Sequence, residues 1–230
     1  MKCLTKILVI AILSLIVFNG HAQNAGFKFG LNMANANLKN ADGTSETDNK
    51  LLFAPRIGFT FETPVYNEVF IQTGLFVTAS GYTYESERVP DPYENPEVSI
   101  ESTEKFILLY LELPVNVGYK YALNDQTSLF GMVGPVFRYL TYSTLAFKID
   151  GEWDNEETHL GEGDDKIELF DNFDFGLNIE IGAQIDRYQF SMFYSPSFTN
   201  IANEDLAGTD ASWKNYCFGL NVGILFGEIK

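Results

Sequence analysis

Residues Leu109 to Tyr121 read LYLELPVNVGYKY. Every odd position (Leu109, Leu111, Leu113, Val115, Val117, Tyr119, Tyr121) is apolar or aromatic, while Glu112, Asn116, Gly118 and Lys120 fall on even ones. Strict period-two alternation describes an extended strand with two unlike faces. Two kinds of protein need such a strand. In one, the apolar face covers a soluble core and the polar face meets water. In the other, the apolar face meets lipid and the polar face lines a closed barrel.

Seven further segments carry the same period, so that eight strands are predicted near 25–38, 51–63, 68–84, 104–121, 127–147, 169–186, 188–201 and 213–227. Phe27, Phe29, Leu31 and Met33 share one face of the first strand, and Tyr216, Phe218, Leu220, Val222, Ile224 and Phe226 share one face of the last. The connections alternate in length. Long polar segments near 39–50, 85–103, 148–168 and 202–212 follow the odd-numbered strands, while short ones at 64–67, 122–126 and 186–187 follow the even ones. Tight turns at one end and long loops at the other are the pattern of an up-and-down transmembrane β-barrel, with the short turns on the periplasmic side. The fold predicted is therefore all-β, an eight-stranded antiparallel barrel with long acidic extracellular loops. Of the 31 acidic residues, 23 lie in or at the edges of the four long segments, which leaves the zone between nearly neutral.

If the apolar faces point to lipid, the opposite faces carry Lys28, Arg56, Lys120 and Arg138 against Glu62, Glu112, Asp174 and Glu180. A charge enclosed alone costs several kcal/mol, so these four cations and four anions are expected to pair as a structural network. Glu112 is expected to find Arg56 and Arg138. Between the charges stand Gly30, Asn32, Gly58, Gln72, Gly74, Asn116, Gly118, Asn178, Gly182, Gln184 and Asn221, small or hydrogen-bonding side chains that let eight strands close over a filled lumen. A soluble lipocalin-like barrel or sandwich would put this Gly- and Asn-rich face in water, where soluble sheets carry many more Lys, Glu and Thr. Pro55, Pro114, Pro135 and Pro196 fall inside predicted strands, and each requires a lapse or bulge in the ladder.

The N-terminus predicts export. Lys2 and Lys6 precede the apolar run Ile7 to Phe18, which at twelve residues is short for a bilayer span and fits the central region of a secretory signal. Gly20-His21-Ala22 matches a small-x-small cleavage site, which divides the chain into a signal peptide over 1–22 and a barrel domain over 23–230. Cys217 alone remains after cleavage, so no disulfide framework is expected. A formal net charge of −16 argues against nucleic-acid partners.

Taken with their order, FGLNMAN at 29–35, YLELPVNVGYKY at 110–121, GPVFRYL at 134–140 and FDFGLNIEIGAQI at 173–185 give the chain from residue 23 onward a resemblance to the eight-stranded outer-membrane β-barrel family of Bacteroidetes, the PorT-like or porin family. The resemblance implies insertion in the outer membrane and, for most members, no assigned activity. Such barrels commonly end on an aromatic residue, whereas here Phe226 is followed by Gly227-Glu228-Ile229-Lys230.

Chemistry-bearing residues are few. His159 is the one histidine after Ala22 and falls in the longest polar segment, without a positioned partner for acid-base work. Asp150, Glu152, Asp154, Asp164 and Asp165 form a possible weak cation-binding loop, but the glycine at the sixth position and the bidentate Glu of an EF-hand are missing. No cofactor and no catalytic residue are expected. Phe59, Phe61, Tyr119, Tyr121, Tyr139, Tyr142, Tyr194 and Trp213 are candidates for the aromatic girdles at the two membrane interfaces. The function expected is that of an integral outer-membrane barrel with a structural or surface-interaction role, meeting membrane lipid and a protein partner at its loops or turns. An accessory subunit of a secretion or assembly machine, and a narrow solute pore, are the alternatives.

Overall fold

Period-two sequence becomes extended backbone throughout. In a computed structural model, the residues described are 24–40, 42–46, 48–90, 99–149, 152–159, 170–202 and 211–227. The expected signal peptide over 1–22 and its cleavage site lie outside them. The strands are β1 (Asn24–Lys39), β2 (Ser45–Glu46), β3 (Asn49–Lys50), β4 (Leu52–Tyr66), β5 (Val69–Pro90), β6 (Ser99–Ala122), β7 (Thr127–Ile149), β8 (Glu152–His159), β9 (Phe173–Ile185), β10 (Tyr188–Pro196) and β11 (Ser212–Phe226). Eight of them, all but the short β2, β3 and β8, form one antiparallel up-and-down sheet in the order β11-β10-β9-β7-β6-β5-β4-β1. It closes where β1 pairs with β11 from Ala25↔Phe226 to Lys39↔Ser212.

Closure gives the two faces of each strand their meaning. Phe27 is 49 % exposed and its neighbour Lys28 only 2 %. The odd residues of β6 that opened the reading, from Val115 to Tyr121, stand outward and exposed, while Glu112, Asn116 and Gly118 face in. Phe27, Phe29, Ile57, Phe59, Ile181, Met192, Leu220 and Val222 belong to the same outer belt. Tyr66, Tyr119, Tyr121 and Tyr188 ring its short-turn end, where amphipathic rings suit a membrane interface.

Several boundaries differ from the sequence reading. The first short turn is Asn67-Glu68 rather than 64–67, since β4 continues through Pro64 with a register shift between Pro64 and Tyr66. Asn67 and Asp186 occupy the left-handed region, at φ 48° and 51°, which Asn and Asp tolerate better than other side chains. β5 and β6 run on as a hairpin to Pro90 and from Ser99, where a loop over 85–103 was expected. Their acids had marked them as loop, but beyond the bilayer both faces of a hairpin meet water and can carry charge. β8 pairs with β7 inside the expected 148–168 loop, so His159 stands on a strand opposite Thr144. β9 begins at Phe173 rather than 169, and β10 stops at Pro196, which has no N–H to donate. Beyond it the chain stays tied between its neighbours, Ser197 N–H donating to Asn215 O at 2.8 Å and Phe198 N–H to Phe175 O at 2.8 Å.

The remaining prolines are absorbed without a bulge. The β5–β6 ladder lapses between Thr73↔Val115 and Phe76↔Glu112, and the β6–β7 ladder between Pro114↔Val136 and Val117↔Val133, both without a shift in register. Thr73 Oγ1 donates to the Pro114 carbonyl at 2.8 Å across the first gap. Pro55 stands one residue before the β4–β5 ladder begins at Arg56↔Thr78.

Leu220, exposed on β11 and paired with Leu31 and Met192, lies in the middle of the belt. Leu220→Arg is expected to destabilise the barrel in lipid vesicles by about 2–4 kcal/mol, the cost of a cation at the bilayer midplane. Urea unfolding titrations of vesicle-inserted protein measure it, and an unchanged midpoint would place this face away from lipid.

Candidate functional site

The lumen is the one enclosed environment on these strands, and register decides what meets inside it. Glu112, Arg138 and Asp174 are direct cross-strand neighbours on β6, β7 and β9. Glu112 lies at the centre of the ion pairs. Arg56 donates to its Oε1 from Nε at 3.1 Å and from Nη2 at 2.7 Å, and Arg138 donates to its Oε2 from Nε at 2.8 Å. Arg138 also reaches Asp174 Oδ2 at 3.3 Å, an oxygen that Ser197 Oγ approaches as donor at 2.6 Å, and its Nη2 donates to Ser195 Oγ. Arg56 lies 3.8 Å above the Phe76 ring, so an aromatic face covers the part of the guanidinium that has no carboxylate.

A second tier of charge sits nearer the short turns. Lys28 Nζ donates to Glu180 Oε1 at 2.7 Å and to Gln72 Oε1 at 2.7 Å, and Ser191 Oγ donates to the same Glu180 oxygen at 2.6 Å. Lys120, 22 % exposed at its side chain, pairs with Glu62. All eight interior charges therefore have an opposite charge in contact, in three groups: Arg56, Glu112, Arg138 and Asp174; Lys28 and Glu180; Lys120 and Glu62. With ions so far from water, a neutralised partner would leave its mate uncompensated.

Apolar side chains fill what the charges leave, and period-two reasoning had not assigned them. Phe76 lies over Gly58 and Gly74, Phe70 over Gly118, Phe130 over Gly182 and Phe193 over Gly219, each ring within 2.9 Å of where the glycine's Cβ would stand. Gly58, Gly118, Gly182 and Gly219 are thus sockets for rings on neighbouring strands, and Gly74 for the ring two residues along its own. At the long-loop end Tyr82, Phe106, Phe170 and Trp213 pack ring against ring, with centroids 4.8–5.6 Å apart. Beside them Leu108, Tyr110, Leu140 and Ile201 are buried. Trp213, expected in a lipid-facing girdle, is instead part of this inner cluster, its Nε1–H donating to Asn215 Oδ1 at 2.8 Å. Phe106, paired with Tyr82, and Phe170 lie at the outer ends of the predicted strands 104–121 and 169–186, where the alternation did not single them out.

Little else is placed for chemistry. Of the candidate cation loop, Glu152 and Asp154 stand on β8 at the positions opposite Ile149 and Phe147, while Asp150, Asp164 and Asp165 lie outside the described residues. Among the described residues no three His, Cys, Asp or Glu side chains converge as a metal site would require. Cys217 is a buried thiol whose contact is the Ser195 carbonyl, 3.8 Å away. Glu112→Gln leaves Arg56 without a carboxylate and Arg138 with Asp174 alone, and is expected to cost about 3–5 kcal/mol. Unfolding midpoints in vesicles, with a heat-dependent shift in gel mobility to report closure, measure the loss; a wild-type midpoint would remove Glu112 from any supporting role.

The family model described as outer membrane protein beta-barrel domain matches residues 20–203. Among solved structures, the chain is similar to Neisserial surface protein A (12 % identity, 87 % of this chain and 97 % of that one, TM-score 0.41) and to the outer membrane protein OprG from Pseudomonas aeruginosa (12 %, 91 % and 99 %, 0.42). It is also similar to Ail, the attachment invasion locus protein of Yersinia pestis, solved with the heparin analogue sucrose octasulfate (11 %, 89 % and 100 %, 0.35). No curated protein matches it in sequence. A closed, lipid-faced antiparallel barrel with a matching family model over most of its length belongs to the outer membrane protein beta-barrel domain family, whose place is the cell outer membrane.

Proposed function

We propose that this chain is a non-catalytic outer-membrane barrel whose packed, charge-paired lumen is a structural support and whose long-loop end is its working surface. The observation that carries this reading is the filled interior. Two tiers of ion pairs and an aromatic cluster occupy the lumen one above the other, bracing the strands and leaving no wide aqueous path among the described residues.

The outward half of the proposal follows from strand length. A transmembrane strand needs about 9–11 residues to cross. β5, β6 and β7 have 22, 24 and 23. The excess stands beyond the bilayer at the long-loop end, where β8 joins it, as a raised wall of sheet with acid-rich connections. A wall braced from below is a platform for contact with surface components or a protein partner. Export by a signal peptide over 1–22, leaving 23–230 as the barrel domain, and a place among the PorT-like barrels of Bacteroidetes belong to the same proposal. The apolar run Ile7 to Phe18 supports the first, and the YLELPVNVGYKY and FDFGLNIEIGAQI segments support the second.

In planar bilayers the purified protein is expected to give no conductance steps above background; stable open-channel steps would replace the structural reading with a pore. On intact cells, an epitope inserted at Gly43 is expected to bind antibody, whereas one at Asp125 is expected to bind only after the outer membrane is permeabilised. The reverse pattern would turn the barrel over.

A further inference from the structure

At the long-loop end the sheet loses its outer face. In a barrel wall consecutive residues alternate between lumen and exterior, so that one of any two neighbours is open to lipid or water. Ile107 and Leu108 of β6 break this rule. Leu108 is buried with Tyr110, Leu140, Phe170 and Ile201, while Ile107 packs beside Ala34, Leu52, Phe193 and Cys217. On β5 every position from Thr78 to Thr83 is buried. Tyr82 lies with Ala36 and Leu38 of β1, two strands away, and with Trp213 of β11. Both faces of the β5–β6 hairpin are therefore covered by the barrel, and at this level it lies in the mouth rather than beside it.

Irregularities on either side of β6 put it there. Gly81 stands at φ 126°, a conformation that residues with a Cβ rarely adopt, and a Cβ on it would meet the Phe106 carbonyl oxygen at 1.9 Å. On β7, Thr141 is an extra residue between Tyr110↔Leu140 and Leu109↔Tyr142, a bulge that bends the strand. Below this line β5 is laddered to β4 as far as Arg56↔Thr78, and Asn32 of β1 donates from Nδ2 to Thr78 Oγ1 at 2.5 Å and to Ala79 O at 3.1 Å. Beyond it β5 pairs with β3 in place of β4, at Thr83↔Lys50 and Tyr84↔Asn49. Amides hold β3 to β1: Asn49 Nδ2 donates to Asn35 Oδ1 at 2.7 Å and to Ala36 O at 2.5 Å, and Asn35 Nδ2 donates to Asn49 O at 3.3 Å.

We propose that the outer parts of β5, β6 and β7 form a lid, bent into the mouth along the line from Gly81 to Thr141, latched by Tyr82 and Phe106 against Trp213 and clipped by the Asn35–Asn49 pair. The lid leaves the mouth while the eight-stranded ring stays closed. The two parts separate because they are bonded differently. Backbone ladders run unbroken around the ring, whereas among the described residues the lid meets β1, β4 and β11 through side chains. Contacts of that kind open locally at less than the cost of global unfolding, and a glycine and a bulge are where a sheet bends. The lid goes beyond the reading of the long-loop end as a contact surface and does not depend on a partner.

The test uses the full mature protein in lipid vesicles, carrying Trp153→Phe so that Trp213, the second of the two tryptophans, alone emits. The closed lid is expected to give blue-shifted emission that acrylamide quenches weakly. Asn49→Ala removes the clip, and Gly81→Ala sets a Cβ against the Phe106 carbonyl. Each is expected to red-shift the emission and raise quenching severalfold, with heat-dependent gel mobility retained. Asn116→Ala, on β6 below the bend, removes the partner of Asn178 inside the ring and is expected to leave Trp213 protected. Should Gly81→Ala fail to insert, Asn49→Ala decides. Unchanged quenching in Asn49→Ala, loss of its heat-dependent mobility, or equal exposure of Trp213 in Asn116→Ala would each overturn the lid.

Discussion

Everything in this molecule depends on the pairing of β1 with β11. Lipid offers no hydrogen bonds, and each unmatched backbone N–H or C=O left in hydrocarbon costs several kcal/mol, so a sheet enters a membrane only when it has no edge. The ladder from Ala25↔Phe226 to Lys39↔Ser212 removes the last two edges together. Once it forms, one face of every strand is committed to lipid and the other to an interior far from water. Even the prolines obey this constraint. The gaps near Pro114 are short, in register, and partly filled by the Thr73 hydroxyl, so the ring survives them.

Closure then poses a packing problem that ring and socket solve. Eight strands enclose too little space for a channel and too much for backbone alone. Phenylalanines on some strands lie over glycines on others, and the charged side chains thread between them. The aromatic faces do more than occupy volume. Phe76 lies against the Arg56 guanidinium, whose N–H donors go to Glu112 and, from Nη1, to Asn221 Oδ1. The ion pairs and the apolar packing are consequently one structure, and neither would hold its geometry without the other.

The two ends of the barrel are built from opposite materials. At the long-loop end Tyr82, Phe106, Phe170 and Trp213 close the lumen with rings. At the short-turn end the wall is amide and carboxylate around an open cavity. Such polarity suits a molecule that presents a solid, elevated surface outward and a small hydrophilic recess inward.

Alternation such as LYLELPVNVGYKY, unequal connections and acids gathered in the long segments were enough for eight strands, the barrel and its lipid face, because period two and charge follow from local chemistry alone. The eight inward charges could be named on the same ground. The two arginines that meet Glu112 could be named as well, but the partners of the other charges could not. Glu112 meets Arg138, and Arg138 meets Asp174, through registers between β6, β7 and β9, and Arg56 reaches Glu112 from β4 across the intervening β5. Register is a relation between strands. The same holds for the rings in their glycine sockets, the inward turn of Trp213 and the continuation of β5 and β6 past the bilayer. Sequence by itself determined the alternating lipid face and the charges that turn inward; tertiary structure decided which apolar side chains join them and which of the inward residues touch, because contact across a lumen depends on strand stagger and curvature that no single strand encodes.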